Sequence, residues 1–446
     1  MERFWLTEKV PEPADKLSNE YKKAEATFQS SVKIENNIFQ VDMPLVCDLE
    51  QLQLGDSFSV AHQRFLTLEK KFKRNHLYLD KYKQFIEEYV ALGHAKEVDI
   101  SEYEVTNGHV YFLAHHAVIN EDSRTTKLRV VFDGSMKSKG RVSLNDVMLN
   151  GPVVQKELFD ILLLFRTYLF TLICDIAKMF RCVRINPKQA CLQNILWRDD
   201  PCKPISCLQL QTITYGLKAS TFLATRCLIE LAHRYGKRYP LAAEAMFSNT
   251  YVDDVLCGSD STESLHDLKA QLVELLQLGN FKLHKWSSNV PQVLEDVPIE
   301  HKYFDDNIEF DKNNIVKTWG LKYNNIVDQF SFTSPPFKDG MYTKRQVLSF
   351  VGKIFDPLGL IGPIIVVAKL FMQQLWSVNL GWDAMLPQSL LDIWHTFLTN
   401  LNKMGTVTVP RCVNSCGTLF IELVGYADAS QKAFGCCLYL RILKKD

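Results

Sequence analysis

Two adjacent aspartates, Asp253 and Asp254, stand between apolar residues in the stretch NTYVDDVLCGSD (249–260). Two unit charges about 4 Å apart repel by roughly 4 kcal/mol at an effective dielectric constant near 20. An aspartate pair at a hairpin tip is most often a plain turn, because aspartate tolerates turn geometry and bonds its own backbone. A third carboxylate, Asp175, lies in the apolar run LFTLICDIAKMF (169–180). Neighbouring antiparallel strands can bring Asp175 close to Asp253, and we expect that they do.

Three carboxylates in one place repel one another unless cations bind between them. Hard oxygen ligands of this kind suit Mg²⁺ or Mn²⁺. Two such ions about 3.5–4 Å apart can clamp both the attacking and the leaving oxygen of a phosphoryl displacement. The attacking hydroxyl is activated and the leaving group is neutralised, so no covalent enzyme intermediate is needed. The pattern therefore predicts metal-dependent phosphoryl transfer.

The elements around these aspartates follow a recognisable order. The run that holds Asp175 is typical of a strand buried on both faces. Residues 215–236 predict a helix, 245–259 a β-hairpin with the aspartates at its tip, 260–279 a helix, and 281–286 a strand. This order of strand, helix, hairpin, helix and strand indicates an antiparallel α+β sheet covered on one face by helices.

Further helix and strand patterns occur in the sequence before and after these elements. Helical spacing is seen before Gly93, and strand-like runs occupy 109–119 and 127–133. Thr343 and Gln346 form a capping box at the start of a helical region. Residues 417–442 predict two strands around a polar turn.

Length and composition limit the classes of protein. A chain of 446 residues predicts two to four packed units. Lys+Arg and Asp+Glu balance at 51 each, so any affinity for nucleic acid must come from a local basic face. The twelve cysteines lack zinc spacing and predict reduced thiols. No signal peptide or membrane span is evident, which predicts a soluble, intracellular, cytoplasmic chain with no membrane partner.

Eight short motifs occur in an order that resembles a known family. The motif YVDD, with CDIAKMF about 75 residues upstream, resembles the reverse transcriptases of retroviruses and long-terminal-repeat retrotransposons. From about residue 65 to the end, the chain is similar to the BEL/Pao class of retrotransposon polyprotein. The motifs are TTKLRVVFDGS, SLNDVMLNGP, DIAKMF, TYGLKAS, YVDD, FKLHKWSSN, IFDPLGLIGP and GYADAS.

The resemblance implies an α+β right-hand polymerase with fingers, a ferredoxin-like palm and a helical thumb or connection. It implies an RNA-directed DNA polymerase with two Mg²⁺ or Mn²⁺ ions. Its partners would be an RNA or DNA template with primer and deoxynucleoside triphosphates. The domains would be an N-terminal linker or extension (1–64), fingers (65–150), palm with an interleaved fingers segment (151–300), primer-grip hairpin region (301–340), thumb or connection (341–415) and the truncated β-hairpin start of a ribonuclease H domain (416–446).

The resemblance also assigns roles to individual residues. Asp175, Asp253 and Asp254 would be the catalytic metal ligands. Phe180 would lie under the sugar and reject a 2′-hydroxyl; without the family it reads as a core residue. The nucleotide-binding residues would be Lys127, Arg129, Phe180, Tyr215, Gly216, Lys218 and Lys285. The primer- and template-binding residues would be Ser220, Tyr251, Trp319, Gly320, Lys344 and Arg345.

Simpler interpretations remain open for several of these residues. From charge alone, Lys127 and Arg129 suit a solvated strand edge as well as a triphosphate site. Lys285 could be simply exposed on its strand, and Lys344 and Arg345 could be solvated.

Asp428 in GYADAS resembles the first carboxylate of a ribonuclease H site. The further acidic residues of such a site would lie on later strands, so we expect no ribonuclease H activity from this chain. No Asp-Thr-Gly or Asp-Ser-Gly triplet is present to support a protease. The alternative to a polymerase is an incomplete retroelement copy that folds and binds nucleic acid without catalysis.

Overall fold

The computed structural model describes residues 18–103, 109–119, 128–303, 307–309, 321–333, 337, 340–403, 406–414 and 418–444. The chain divides into two compact units. The first comprises Met1–Gln155, Ala177–Tyr239 and Val273–Lys282, and the second comprises Lys156–Ile176, Pro240–Leu272 and Leu283–Asp446.

The α-helices of the described residues are, in chain order, α1 (Asn19–Ser31), α2 (Phe58–Arg74), α3 (His76–Ala91), α4 (Leu158–Phe165), α5 (Ser220–Tyr235), α6 (Pro240–Ser248), α7 (Thr262–Gln277), α8 (Lys344–Val351), α9 (Gly362–Ser377) and α10 (Gln388–Lys403).

The strands are, in the same order, β1 (Lys33–Glu35), β2 (Ile38–Val41), β3 (Ala95–Val98), β4 (Ala114–Ile119), β5 (Leu128–Asp133), β6 (Phe170–Ala177), β7 (Val183–Ile185), β8 (Asn194–Trp197), β9 (Ser206–Leu210), β10 (Thr250–Tyr251), β11 (Asp254–Ser259), β12 (Lys282–Ser288), β13 (Asn307–Glu309), β14 (Lys322–Asn324), β15 (Gln329–Thr333), β16 (Thr406–Pro410), β17 (Thr418–Ala429) and β18 (Phe434–Lys444).

The first unit contains three small sheets, ordered β1-β2-β7, β3-β9-β8 and β4-β5. Buried aromatic side chains pack between α2, α3 and these strands: Tyr82 stacks on Trp197 with ring centroids 5.3 Å apart, and Phe72 contacts both rings edge-on. The Tyr82 hydroxyl and the Nδ1 atom of buried His115 form a hydrogen bond inside this cluster. Aromatic burial of this kind supplies much of the hydrophobic stabilisation of a core.

The range predicted as a linker or extension contributes to this unit. Strand β2 pairs in parallel with β7, so that Phe39 is opposite Val183. Phe28, Phe39 and Val41 are fully buried. Residues 18–64 therefore form part of the folded core, although their weak periodicity does not reveal it.

The second unit is built on an antiparallel sheet ordered β10-β11-β6-β12. A second sheet is ordered β13-β14-β15-β16, and β17 pairs with β18 as a two-stranded ribbon. One hydrophobic cluster joins α4 and the two sheets; it includes Phe165, Ile173, Leu256, Tyr323 and Phe330. This cluster fixes the back of the sheet that holds the aspartates.

Most predicted elements near the aspartates are confirmed. Strand β6, helices α5 and α7, the hairpin β10-β11 and strand β12 all form where the patterns place them. The capping box of Thr343 and Gln346 starts α8, and the last two strands form. One prediction is wrong: residues 245–248 belong to α6 and not to a long first strand. Among the described residues, no helix has both the length and the apolar character needed to cross a bilayer.

Candidate active site

The hairpin that carries the two aspartates turns at Val252 and Asp253. Tyr251 is paired with Asp254 across the turn. Val252 has a φ of +54°, a left-handed conformation that is unfavourable for a β-branched residue. Buried Asn249 supports the hairpin by donating from Nδ2 to the Leu256 carbonyl (3.0 Å). Backbone strain of this kind persists only where surrounding contacts impose it, and it is concentrated at functional sites.

Asp175 lies directly beside this hairpin. In the antiparallel pairing of β6 with β11, Asp175 is opposite Asp254. The Ile176 amide donates to the Asp253 carbonyl over 2.8 Å and extends the pairing to the tip. Directly opposed residues of antiparallel strands have Cβ atoms roughly 4.5–5.5 Å apart on one face. The structure therefore brings the acidic residues of distant parts of the sequence together at one end of the sheet.

The Asp175 carboxylate is nearly buried, with 9% of its side chain exposed, and it has two basic partners. Oδ1 is 2.8 Å from Nε2 of His284, and Oδ2 accepts a hydrogen bond from Nζ of Lys285 over 2.9 Å. The resemblance assigns Lys285 to nucleotide binding, with simple exposure as the alternative, and no pattern of the sequence points to His284.

The backbone of β12 explains how consecutive residues reach one carboxylate. In a regular strand, side chains alternate between faces, so His284 and Lys285 would point to opposite sides. Lys285 has a φ of +53°, which interrupts that alternation. No pattern of residue types signals this conformation, because it is unusual for a lysine.

The cysteines beside the aspartates are suited to packing. Burial raises the pKa of the Cys174 thiol well above its usual value, and the nearby thiol of Cys257 and the carboxylates of Asp175 and Asp254 raise it further. Cys174 therefore remains protonated and acts as a small apolar side chain.

The donor chemistry of this site fits a hard divalent cation in type. Asp175 and Asp254 offer carboxylate oxygens from facing positions, and Asp253 is the next residue along the chain. Within the described ranges, no group of three or more histidine, cysteine, aspartate or glutamate side chains is already arranged to hold a metal ion. The oxygens of Asp175 are instead engaged by His284 and Lys285.

Several residues predicted to bind nucleotide lie in the first unit. The rings of Phe180 and Tyr215 are in contact, with centroids 4.9 Å apart. Gly216 has a φ of +93°, and an added Cβ would lie 1.9 Å from the Phe132 carbonyl oxygen. Lys218 forms an ion pair with Glu20 (2.7 Å). Arg129 is exposed on β5, whereas Lys127 lies outside the described residues.

The turn that carries Phe180 is anchored at both ends to one carboxylate of α3. Lys178 forms an ion pair with Glu88, and Arg181 donates to the same carboxylate over 3.2 Å. The guanidinium of Arg181 is buried and lies 4.3 Å from the centre of the Tyr89 ring. These contacts fix the position of residues 178–181, and no pattern of the sequence points to Glu88 as their partner.

The residues predicted to contact primer or template have mixed environments. Tyr251 is 37% exposed at the hairpin. Ser220 is buried, and its hydroxyl donates to the Thr214 carbonyl over 2.6 Å. Lys344 is also buried, with its ammonium 4.8 Å from the ring centre of Trp376. Burial of Ser220 and Lys344 is at odds with direct contact to nucleic acid, because their polar atoms already have partners within the fold.

The remaining predicted residues are either paired, exposed or outside the described residues. Arg345 is exposed and donates to Asp383 over 2.7 Å. Asp428 is exposed on β17, where its Oδ1 accepts from the Ala429 amide over 2.9 Å. Trp319 and Gly320 lie outside the described residues.

Comparisons with known proteins agree with this architecture. No curated protein matches the sequence. Among solved structures, the chain is similar to a foamy viral protease-reverse transcriptase in complex with double-stranded DNA, with a TM-score of 0.52 and 13% sequence identity. The match covers 81% of this chain and spans 53% of that chain, about half its length. This likeness shows that the chain has a polymerase-like fold.

Residues 343–446 match the family model of the Pao retrotransposon-like RNaseH-like domain. The matched range includes both the helices α8 to α10 and the ribbon β17-β18. It therefore crosses the predicted boundary between the thumb or connection and the ribonuclease H region. Over residues 343–446 the resemblance to the Pao class of retrotransposon is thus confirmed: this part of the chain is similar to the Pao retrotransposon-like RNaseH-like domain.

Proposed function

We propose that this chain is a retrotransposon reverse transcriptase that adds deoxynucleotides to a primer 3′-hydroxyl on an RNA or DNA template. The observation that carries this proposal is the placement of Asp175 opposite Asp254, at the strained hairpin of Asp253, within a polymerase-like fold. The foamy viral relative is in complex with double-stranded DNA, which supports nucleic-acid binding by this chain.

In the proposed reaction, the primer oxygen forms a bond to the α-phosphorus of the incoming triphosphate while the bond to the leaving pyrophosphate breaks. The hydroxyl proton goes to solvent. The chemistry supplied by divalent cations, when bound, is activation of that hydroxyl and neutralisation of the leaving charge. Asp175, Asp253 and Asp254 would hold Mg²⁺ or Mn²⁺, since carboxylate oxygens are the ligands that these ions prefer.

Residues around Phe180 and Gly216 would bind and orient the nucleotide. The Phe180 ring, held by Tyr215 and by the anchored turn 178–181, would lie under the sugar and select against a 2′-hydroxyl. Gly216 would hold its turn close to the Phe132 carbonyl, whose oxygen leaves no room for a side chain. Exposed Arg129 would supply positive charge for the phosphates.

The test is primer extension by the folded protein with Mg²⁺ or Mn²⁺. We expect extension by the unmodified chain and a loss of at least about 100-fold in Asp175→Asn and Asp253→Asn, since each removes a ligand charge. Asp267→Asn, an exposed carboxylate on α7, is the matched control and should leave the rate unchanged.

Extension that survives Asp253→Asn would show that the metal-ligand assignment is wrong. A folded chain that binds primer-template but never extends it with either ion would favour the alternative of a non-catalytic, nucleic-acid-binding copy.

A further inference from the structure

Asp175 has a positive counter-charge within the protein. Its side chain is 9% exposed, and Lys285 Nζ is 2.9 Å from Oδ2 while His284 Nε2 is 2.8 Å from Oδ1. A nearly buried carboxylate requires such partners, because an unpaired charge in this environment is strongly disfavoured. In the described structure, Lys285 therefore supplies positive charge at the position where the proposed reaction requires a metal cation.

The conformation of Lys285 shows that this contact is imposed on the strand. A φ of +53° is sparsely populated for residues other than glycine, and it persists where surrounding contacts over-determine it. The contact of Lys285 with Asp175 is one such restraint. Loss of that contact would allow β12 to relax toward regular strand geometry.

A divalent cation and an ammonium cannot both sit against the same carboxylate oxygen without strong mutual repulsion. His284 can continue to donate to Oδ1, since each carboxylate oxygen accepts more than one bond. We propose that Lys285 is a positioning residue that neutralises Asp175 in the metal-free chain and is displaced when a divalent cation binds. The inference rests on the proposed function, in which Asp175 is a metal ligand.

The first test measures Mn²⁺ binding directly by electron paramagnetic resonance, without substrate. Lys285→Met should bind Mn²⁺ about tenfold more tightly than the unmodified chain, because binding no longer breaks a charge-assisted hydrogen bond. Lys285→Arg retains the charge and should bind like the unmodified chain. Lys282→Met is the control, since Lys282 is an exposed lysine at the start of the same strand, and its affinity should change less than about twofold.

Displacement of Lys285 by the cation also predicts the thermal stability of these variants. In EDTA, Lys285→Met should unfold at a lower temperature than the unmodified chain, and saturating Mn²⁺ should remove the difference. The contact of Lys285 with Asp175 exists only in the metal-free state. Its loss should therefore lower the stability of that state and raise the affinity for Mn²⁺ by the same free energy.

A second measurement needs no variant. Lysine acetylation of the unmodified chain, followed by peptide mass spectrometry, reports the accessibility of each ammonium. Addition of Mg²⁺ should increase the labelling of Lys285 several-fold and leave that of Lys282 unchanged. Labelling of Lys285 that does not respond to Mg²⁺ would overturn the proposal.

Unchanged or weaker Mn²⁺ binding in Lys285→Met would also overturn it, provided that Asp175→Asn still abolishes binding. If instead Asp175→Asn binds Mn²⁺ as tightly as the unmodified chain, the metal-ligand assignment of the proposed function fails, and the displacement fails with it. The two failures are therefore distinguished by the Asp175→Asn result.

Discussion

Asp175 and Asp254 occupy directly opposed positions on neighbouring antiparallel strands, although 78 residues of chain lie between them. The pairing places two carboxylates on one face of the sheet, and His284 and Lys285 hold that of Asp175 at the distances given above. Neutralisation of Asp175 should therefore weaken contacts that stabilise the metal-free protein.

We expect Asp175→Asn to lower the free energy of unfolding of the metal-free protein by about 1–3 kcal/mol, since it weakens the bonds from His284 and Lys285. Urea denaturation in EDTA measures this change. An unchanged or higher free energy of unfolding in Asp175→Asn would contradict this account of the carboxylate.

Alanine substitutions at Gly216 and Gly93 distinguish the cost of a left-handed backbone from the cost of a steric clash. Gly93 has a φ of +71° with open space around it, so Gly93→Ala should cost only about 1 kcal/mol. Gly216→Ala adds a methyl group that would lie 1.9 Å from a backbone oxygen, and it should cost about 3–5 kcal/mol. Chemical denaturation of both variants provides the comparison, and equal losses would show that the region of Gly216 moves aside without cost.

Arg411 is fully buried and links distant parts of the second unit. Its guanidinium donates to both oxygens of Asp328 (2.5 and 2.8 Å) and to the carbonyls of Phe165 and Tyr168 (both 2.7 Å). Arg411→Met should destabilise the protein by about 3 kcal/mol, because it leaves a carboxylate and several carbonyls without their donor. Arg441→Met removes an exposed arginine paired with Glu422 and should change stability by less than about 0.5 kcal/mol.

His115 predicts a pH dependence of stability in the first unit. Burial lowers its pKa to about 4, against about 6.5 for an exposed histidine. The unfolded chain binds a proton at His115 more readily than the folded chain does. The contribution of neutral His115 to stability is therefore complete above about pH 6.5 and is lost as the pH falls toward 4. The loss should approach about 3 kcal/mol at pH 4.

The measurement is urea denaturation between pH 7 and pH 4. His94, whose pKa is also lowered to about 4, first by burial and then by the charge of Arg181, contributes to the same slope. His115→Gln should therefore reduce the pH dependence without abolishing it. An unchanged slope in His115→Gln would mean that His115 is already protonated in the folded state.

Sequence patterns predicted the elements of the site well. The apolar run around Asp175, the hairpin and the capping box of Thr343 and Gln346 each have a local physical cause, so they can be recognised without tertiary information. The pattern also predicted that distant aspartates meet at the hairpin. It could not supply the strand register, which places Asp254 rather than Asp253 opposite Asp175.

The features that the sequence did not reveal depend on tertiary contacts. The left-handed backbone of Lys285 and the resulting role of His284 contradict the alternation expected of a strand. The burial of Lys344 between tryptophans reverses the usual preference of lysine for solvent. The hairpin pattern places residues 245–248 in a strand, but these residues end helix α6, whose start is favoured by Pro240 and by four alanine or leucine residues after it.

The parallel pairing of β2 with β7 also determines how the chain can be shortened. A recombinant fragment that starts at residue 65, the predicted beginning of the fingers, would lack β2 and leave the backbone of β7 with an open edge. It would also expose the face of Phe281 that Phe39 covers. Open edges beside apolar surface recruit other chains and promote aggregation, so expression of this protein should begin ahead of α1.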